Sequence, residues 1–287
     1  MNDRVTKISI LVLMLGMALI PLNDSLIKLL SSRFPLAQIV VIRALICIFI
    51  IAIIGQGAKK TLLLPRRTLI LFSIRGMCLV IAMYFFFVAL ASLPLSTVVS
   101  IFFISPLLIT FLSSIVLNER IGIHRVTSVI TALIGVMFVM KPGTNEFHPE
   151  MLLAFGSAVS YAIFQIFTRS LKSDGNLPAL ITIQHLCYFF SALPLLAFNW
   201  SGGLSSTGNM SFDFLLRGTV SPTLTEIIYI SICAGAVLFL SLASSFAYRN
   251  VEASLIAPFE YIAIPVSVVW GIVIWGDYPS SSAWVGM

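Results

Sequence analysis

Six polar side chains stand where a greasy chain offers no obvious reason for them: Asp24, Arg43, Arg75, Gln165, His185 and Glu260. Each lies inside a long apolar run. An ionisable group at bilayer depth costs about 2.5–3.5 kcal/mol on insertion scales, so it needs a partner, a cavity or a ligand. The carboxylates of Asp24 and Glu260 suit cationic groups or protons. The guanidinium groups of Arg43 and Arg75 suit negative or carbonyl-bearing groups. With about 1.5 Å per helical residue, Asp24 and Arg43 fall roughly 9 and 12 Å from the outer ends of their helices. Arg75 and Glu260 fall about 10 Å from the inner ends of theirs. The expected pairs are therefore Asp24 with Arg43 and Arg75 with Glu260, bracketing a central cavity with one pair nearer each exit. Against this stand a local Asp24–Lys28 pair at i,i+4 and an Arg75 that snorkels to the headgroups.

Other residue types extend the candidate set. His185, beside Gln184 at mid-run, has the ring for a proton relay or for a structural hydrogen bond. Gln165 follows Asp24 by 141 positions and is a candidate to hydrogen-bond a ligand opposite it. Tyr84, Tyr161, Tyr248 and Tyr261, among many phenylalanines, can wall a cavity and stack on a planar ligand. Pro106 and Pro265 each free a backbone carbonyl near mid-membrane. Such breaks are tolerated where they line protein or water, and matching breaks in two halves point to a binding site.

Several chemistries have no residues to carry them. Cys47, Cys78, Cys187 and Cys233 sit singly in apolar segments and read as small packing residues. No HExxH, GxSxG or GxxxxGK[ST] occurs, which argues against a metalloprotease, an esterase or direct ATP hydrolysis. No cofactor and no metal is expected. The net charge of +6 is scattered between hydrophobic runs rather than gathered in a nucleic-acid patch.

The elements that must position these groups follow from composition. The chain is 59% hydrophobic and 10% charged, against about 25% charged in a soluble domain. At about 20 apolar residues per span, nine helices are expected, roughly over 8–30, 35–54, 68–90, 94–117, 123–140, 150–170, 177–198, 223–247 and 253–275. A tenth begins near Ser282 and is cut off at Met287, so the expectation is a truncated last helix. The loop at 199–222 reads as a flexible outer connector. Eleven of the 17 Lys and Arg fall on one side if the N-terminus is cytoplasmic, which predicts that orientation.

The halves echo each other. Ala89 and Ala247, Ser96 and Ser254, and Glu119 and Asp277 all lie 158 positions apart. Five helices per half is an odd number, so the second half, 149–287, enters opposite to the first, 1–148. The fold expected is an all-α integral membrane bundle of ten helices in two inverted halves.

The residues Asp24 to Lys28, Gln38 to Arg43, Ala89 to Leu95, Ser105-Pro106-Leu, Leu117-Asn-Glu119-Arg and Ala257-Pro-Phe-Glu-Tyr261 carry a resemblance. The chain resembles the drug/metabolite transporter superfamily in its EamA-type members, over nearly its whole length. The D-x-x-x-K, Q-x-x-x-x-R and A-P-F-E-Y pattern is similar to a bacterial subgroup with riboflavin and S-adenosylmethionine transporters. The resemblance implies a multi-pass protein of the bacterial inner membrane, possible as a homodimer, moving a small, planar or aromatic metabolite by alternating access. Riboflavin uptake is the first substrate expected. S-adenosylmethionine uptake and export of an amino acid or toxic metabolite are the alternatives within the class. A membrane-embedded lipid-modifying transferase and a non-transporting assembly or sensor subunit are the alternatives outside it.

Overall fold

The computed structural model describes residues 3–55, 61, 64–119, 122, 123, 127, 130, 131, 134, 135, 147–172, 176–204, 208–276, 278 and 281. The fifth expected helix (123–140), most of the loop expected between halves, Arg120, Asp277 and the expected onset of a tenth helix at Ser282 lie outside these residues, apart from isolated positions. Among the described residues the protein is all-helical, with one isolated bridge between Gly203 and Arg217. Eight helices among the described residues are long and apolar enough to cross a membrane.

In chain order these are α1 (Asp3–Ser31), α2 (Leu36–Gly55) and α3 (Arg66–Ser92), then a fourth span broken into α4 (Leu95–Phe102) and α5 (Ser105–Val116). There follow α6 (Glu150–Ser170), α7 (Leu177–Trp200), the short α8 (Met210–Leu216), which is not a span, and α9 (Leu224–Asn250). The last described span runs through α10 (Ala253–Ile256), a 3₁₀ segment (Ala257–Ile262), α11 (Ala263–Trp270) and a π turn (Gly271–Trp275). The apolar run lengths set these helices, because a backbone in lipid must satisfy itself. Leu11, Phe49, Ile54 and Ile115 point outward and are exposed, as lipid-facing residues must be.

The breaks fall at the prolines and repeat each other. Pro106 is the second residue of α5 and Pro265 the third of α11, each in the first turn after a disturbed stretch. α3 ends at Leu93 (φ −110°, ψ 155°) and α9 at Val251 (φ −120°, ψ 151°), and these positions are 158 apart. Their N–H groups bond Ala89 O and Ala247 O, again 158 apart. Asn118 (φ 53°) and Gly276 (φ 66°) both adopt the left-handed conformation at the same separation.

Packing is reciprocal as well. α1 lies along α9 and α3 along α6; α2 lies along α7; α3 also meets α7 as α9 meets α2. Close approach is built in at α3–α7: a Cβ on Gly76 would sit 2.8 Å from Cys187 Sγ. Cys187 Sγ lies 3.7 Å from Ser73 O across that seam, and Cys47 Sγ lies 3.4 Å from Ala234 O across α2–α9. Small residues let helices approach where lipid supplies no hydrophobic drive.

The connector expected to be featureless contains α8. Asn209 caps it by accepting from the N–H groups of Ser211 and Phe212, and Phe214 is buried beneath it. Gln38 on α2 then clips the following strand of chain from both sides: its Nε2 donates to Val220 O at 2.6 Å and its Oε1 accepts from Val220 N at 3.1 Å. A side-chain amide that satisfies both backbone groups holds the segment against the bundle, which is why composition alone misjudged it.

Candidate functional site

A cavity of about 140 Å³ lies between α1, α2, α3, α4, α6, α7, α9 and the start of α11. At 10–15 Å³ per water position this is room for on the order of ten waters. Asp24 from α1 and Arg43 from α2 line it, with Gln184 and Tyr188 from α7 and Ser241 and Ser244 from α9. Phe86, Phe87, Phe102, Phe103, Tyr161 and Phe164 supply an aromatic wall. Tyr161 and Phe102 pack with ring centres 5.2 Å apart, and Phe86 meets Phe102 edge-on at 5.3 Å. The broken α4–α5 helix brings Phe102 and Phe103 to its break, so the disturbed backbone does border the cavity.

The two expected ion pairs do not form. Asp24 accepts a hydrogen bond from Asn23 Nδ2 at 2.9 Å, and Arg43 directs Nη2 to Met83 Sδ at 3.4 Å. Both charged groups face the cavity, and no direct ion pair joins them. Lys28, four residues on, donates instead to Leu93 O at 3.1 Å and sits over the Trp275 ring.

Arg75 neither reaches Glu260 nor snorkels. It is wholly buried and gathers three helices. Nε donates to Thr168 Oγ1 (2.7 Å, α6), Nη1 to Gln184 Oε1 (3.0 Å, α7) and Nη2 to Ser245 Oγ (2.8 Å, α9). Its guanidinium lies 4.1 Å from the centre of the Phe164 ring. Gln184 in turn donates to Ser241 Oγ at 2.8 Å. Arg75 thus stands behind the wall and fixes Gln184 and Phe164, which line it.

Glu260 is likewise fully buried behind the wall. Its Oε1 accepts from Tyr248 at 2.7 Å, from Tyr161 at 3.1 Å and, at the limit of contact, from Gln165 Nε2 at 3.5 Å. Gln165 also reaches Tyr161 Oη at 2.6 Å and Ser244 Oγ at 2.8 Å. This network ties the 3₁₀ segment after Pro258 to α6 and α9. Gln165 therefore meets Glu260, not Asp24.

Three other expected residues sit outside the lining. His185 is buried one residue from Gln184 and packs its ring 5.9 Å from Tyr188; Gln184 and Tyr188 face the cavity in its place. Tyr84 is half-buried on the same helix as Met83 and Phe87, which do line it. Tyr261 is half-buried against Phe103, 5.9 Å between ring centres. A helix shows one face to a cavity, and one residue of rotation is about 100°. Sequence reasoning missed Asn23 and the Ser241/Ser244/Ser245 cluster. Three serines at i, i+3 and i+4 in an apolar run were a readable sign of a polar inner face.

The chain is similar to known proteins. Residues 7–141 match the EamA-like transporter family. An S-adenosylmethionine uptake transporter of Rickettsia prowazekii (strain Madrid E) is 22% identical over 91% of this chain and 82% of that protein. A riboflavin transporter of Vibrio cholerae is 24% identical over 67% of this chain and 59% of that protein. One solved crystal structure superposes with a TM-score of 0.69 at 18% identity, covering 100% of this chain and 93% of its own, a likeness of fold.

Proposed function

We propose that this chain, whose residues 7–141 match the EamA-like transporter family, is a multi-pass membrane transporter that works by alternating access. Two inverted halves, 1–148 and 149–287, rock about the cavity and open it to one side at a time. The reading is supported by the reciprocal packing of α1 on α9 and α3 on α6, and by equal backbone conformations at Leu93 and Val251 and at Asn118 and Gly276. The basic loops support a cytoplasmic N-terminus in a bacterial inner membrane.

The observation that carries the function is the convergence on one cavity of charge, hydroxyls and aromatic rings from seven helices, inside a bundle whose outer face is apolar. The aromatic wall suits a metabolite with a planar part. S-adenosylmethionine, transported by relatives that match along most of the chain, and riboflavin, transported by a relative that matches two thirds of it, both have one. Asp24, Arg43 and Tyr161 contact the substrate; Arg75, Gln165 and Glu260 hold the wall in place.

The test is flux. Proteoliposomes holding the full chain are expected to exchange labelled S-adenosylmethionine or riboflavin in a saturable way. Flux of neither above protein-free vesicles overturns the proposal.

A further inference from the structure

The cavity holds two opposite charges that the protein leaves apart. Asp24 and Arg43 are each almost fully buried, at 5% and 3% exposure, so both charges have been withdrawn from bulk water. Desolvation on that scale is recovered when the charges pair closely and fill their hydrogen-bonding sites. Arg75 illustrates a guanidinium whose three nitrogens all meet oxygen acceptors within 3.0 Å. Arg43 meets one soft acceptor, the Met83 sulfur at 3.4 Å, and the faces of Phe87 and Tyr188 at 5.8 and 5.6 Å. A guanidinium has five N–H donors, so most of Arg43's remain for something in the cavity. Opposite it, Asp24 receives one bond, from Asn23, and the buried Asn23 Oδ1 has no partner among the described residues.

These groups define a ligand. A simple anion suits Arg43 but is repelled by Asp24, and a simple cation meets the reverse. A molecule carrying both charges satisfies each. We propose that the cavity binds a zwitterionic amino-carboxylate metabolite, its ammonium on Asp24 and Asn23 Oδ1, its carboxylate on Arg43. Its planar or apolar remainder lies against Phe86, Phe102 and Tyr161. This rests on the transport reading for the cavity's role and narrows its substrate class: riboflavin, which has neither charge, is a poor fit.

Two matched series test it on the purified full chain, by ligand-induced thermal stabilisation and by competition for flux in proteoliposomes. One is S-adenosylmethionine, decarboxylated S-adenosylmethionine, which lacks only the carboxylate, and methylthioadenosine, which lacks the ammonium, the carboxylate and the sulfonium. The other is L-tryptophan, tryptamine and indole-3-propionate. At least one parent zwitterion is expected to bind 10-fold or more tighter than its relatives lacking a charge. Asp24→Asn is expected to abolish the preference for the ammonium alone, and Arg43→Gln the preference for the carboxylate alone. A purely structural role for either residue would not shift selectivity so. Binding by neither parent, equal binding across a series, or selectivity unchanged in both variants overturns the inference. If a variant does not fold, the series on the unaltered protein decides. Riboflavin flux that neither zwitterion inhibits overturns this inference and leaves the transport reading standing. Selective binding with no flux of any solute does the opposite.

Discussion

Glu119 and Ala253, 134 positions apart, meet at the start of the last described span. The Glu119 carboxylate accepts from Ala253 N at 3.2 Å and from Ser254 N at 3.1 Å, capping α10 where N–H groups have no helical partner. Asn118, in the left-handed conformation, turns the chain out of α5 so that Glu119 can reach. Arg169 Nε lies 3.5 Å from the same carboxylate, and its Nη1 donates to Arg249 O at 3.2 Å. One carboxylate therefore ties α5, α6 and the α9–α10 turn together.

Removing that cap has a defined cost. Glu119→Ala is expected to lower stability by about 1–2 kcal/mol, the usual loss for a helix cap. Glu119→Gln, which keeps an acceptor but not the charge at the helix N-terminus, is expected to lose less. Chemical or thermal denaturation in detergent ranks the three proteins; equal midpoints would show that the cap carries no load.

Arg75 is expected to be intolerant even of lysine. Its replacement by Met strips donors from Thr168, Gln184 and Ser245 at once. Orphaned buried acceptors cost about 1–3 kcal/mol each, less whatever the two hydroxyls recover by rotating, so a loss of about 3 kcal/mol is expected. Arg75→Lys has one ammonium to serve three separated acceptors and is expected to fall between. Midpoints of unfolding for the two variants check the order.

The α3–α7 seam makes a coupled prediction. Gly76→Ala puts a methyl 2.8 Å from Cys187 Sγ and 3.2 Å from its Cβ. Overpacking of this kind costs typically about 1–3 kcal/mol. Cys187→Ala removes the nearer atom, so the double variant is expected to recover most of the loss. Additive losses in a double-mutant cycle would place the strain elsewhere.

The network around Glu260 separates geometry from charge. Glu260→Gln retains a carbonyl oxygen for Tyr248 and Tyr161, and is expected to stay folded. Glu260→Ala leaves both phenols without their acceptor and is expected to be less stable by about 2 kcal/mol or more. Near-equal stabilities for the Gln and Ala variants would refute the hydrogen-bonding account. Uptake by the Gln variant that stays unchanged at every pH would remove the Glu260 charge from the mechanism.

Much of the fold was legible in linear order. Leu36–Gly55, Glu150–Ser170 and Leu177–Trp200 are within two residues of their expected bounds, because an apolar run of bilayer length has few other options. The prolines marked both broken spans. The candidate site was legible only in part. Asp24 and Arg43 face the cavity without the expected pairing, and Tyr84 and His185 turn from it while their neighbours Met83 and Gln184 do not.

By itself the sequence determined the eight described spans, their breaks and which charges must be buried, since these depend on run length, residue type and the solvation cost of each group. The tertiary structure alone decided which partner each buried charge has. Arg75 meets a threonine, a glutamine and a serine, Glu260 meets two tyrosines, and Asp24 and Arg43 share a cavity without joining. The physical reason is rotation. A turn of about 100° per residue and the crossing of helices distant in sequence choose the contacts, and neither is written in the spacing along one chain.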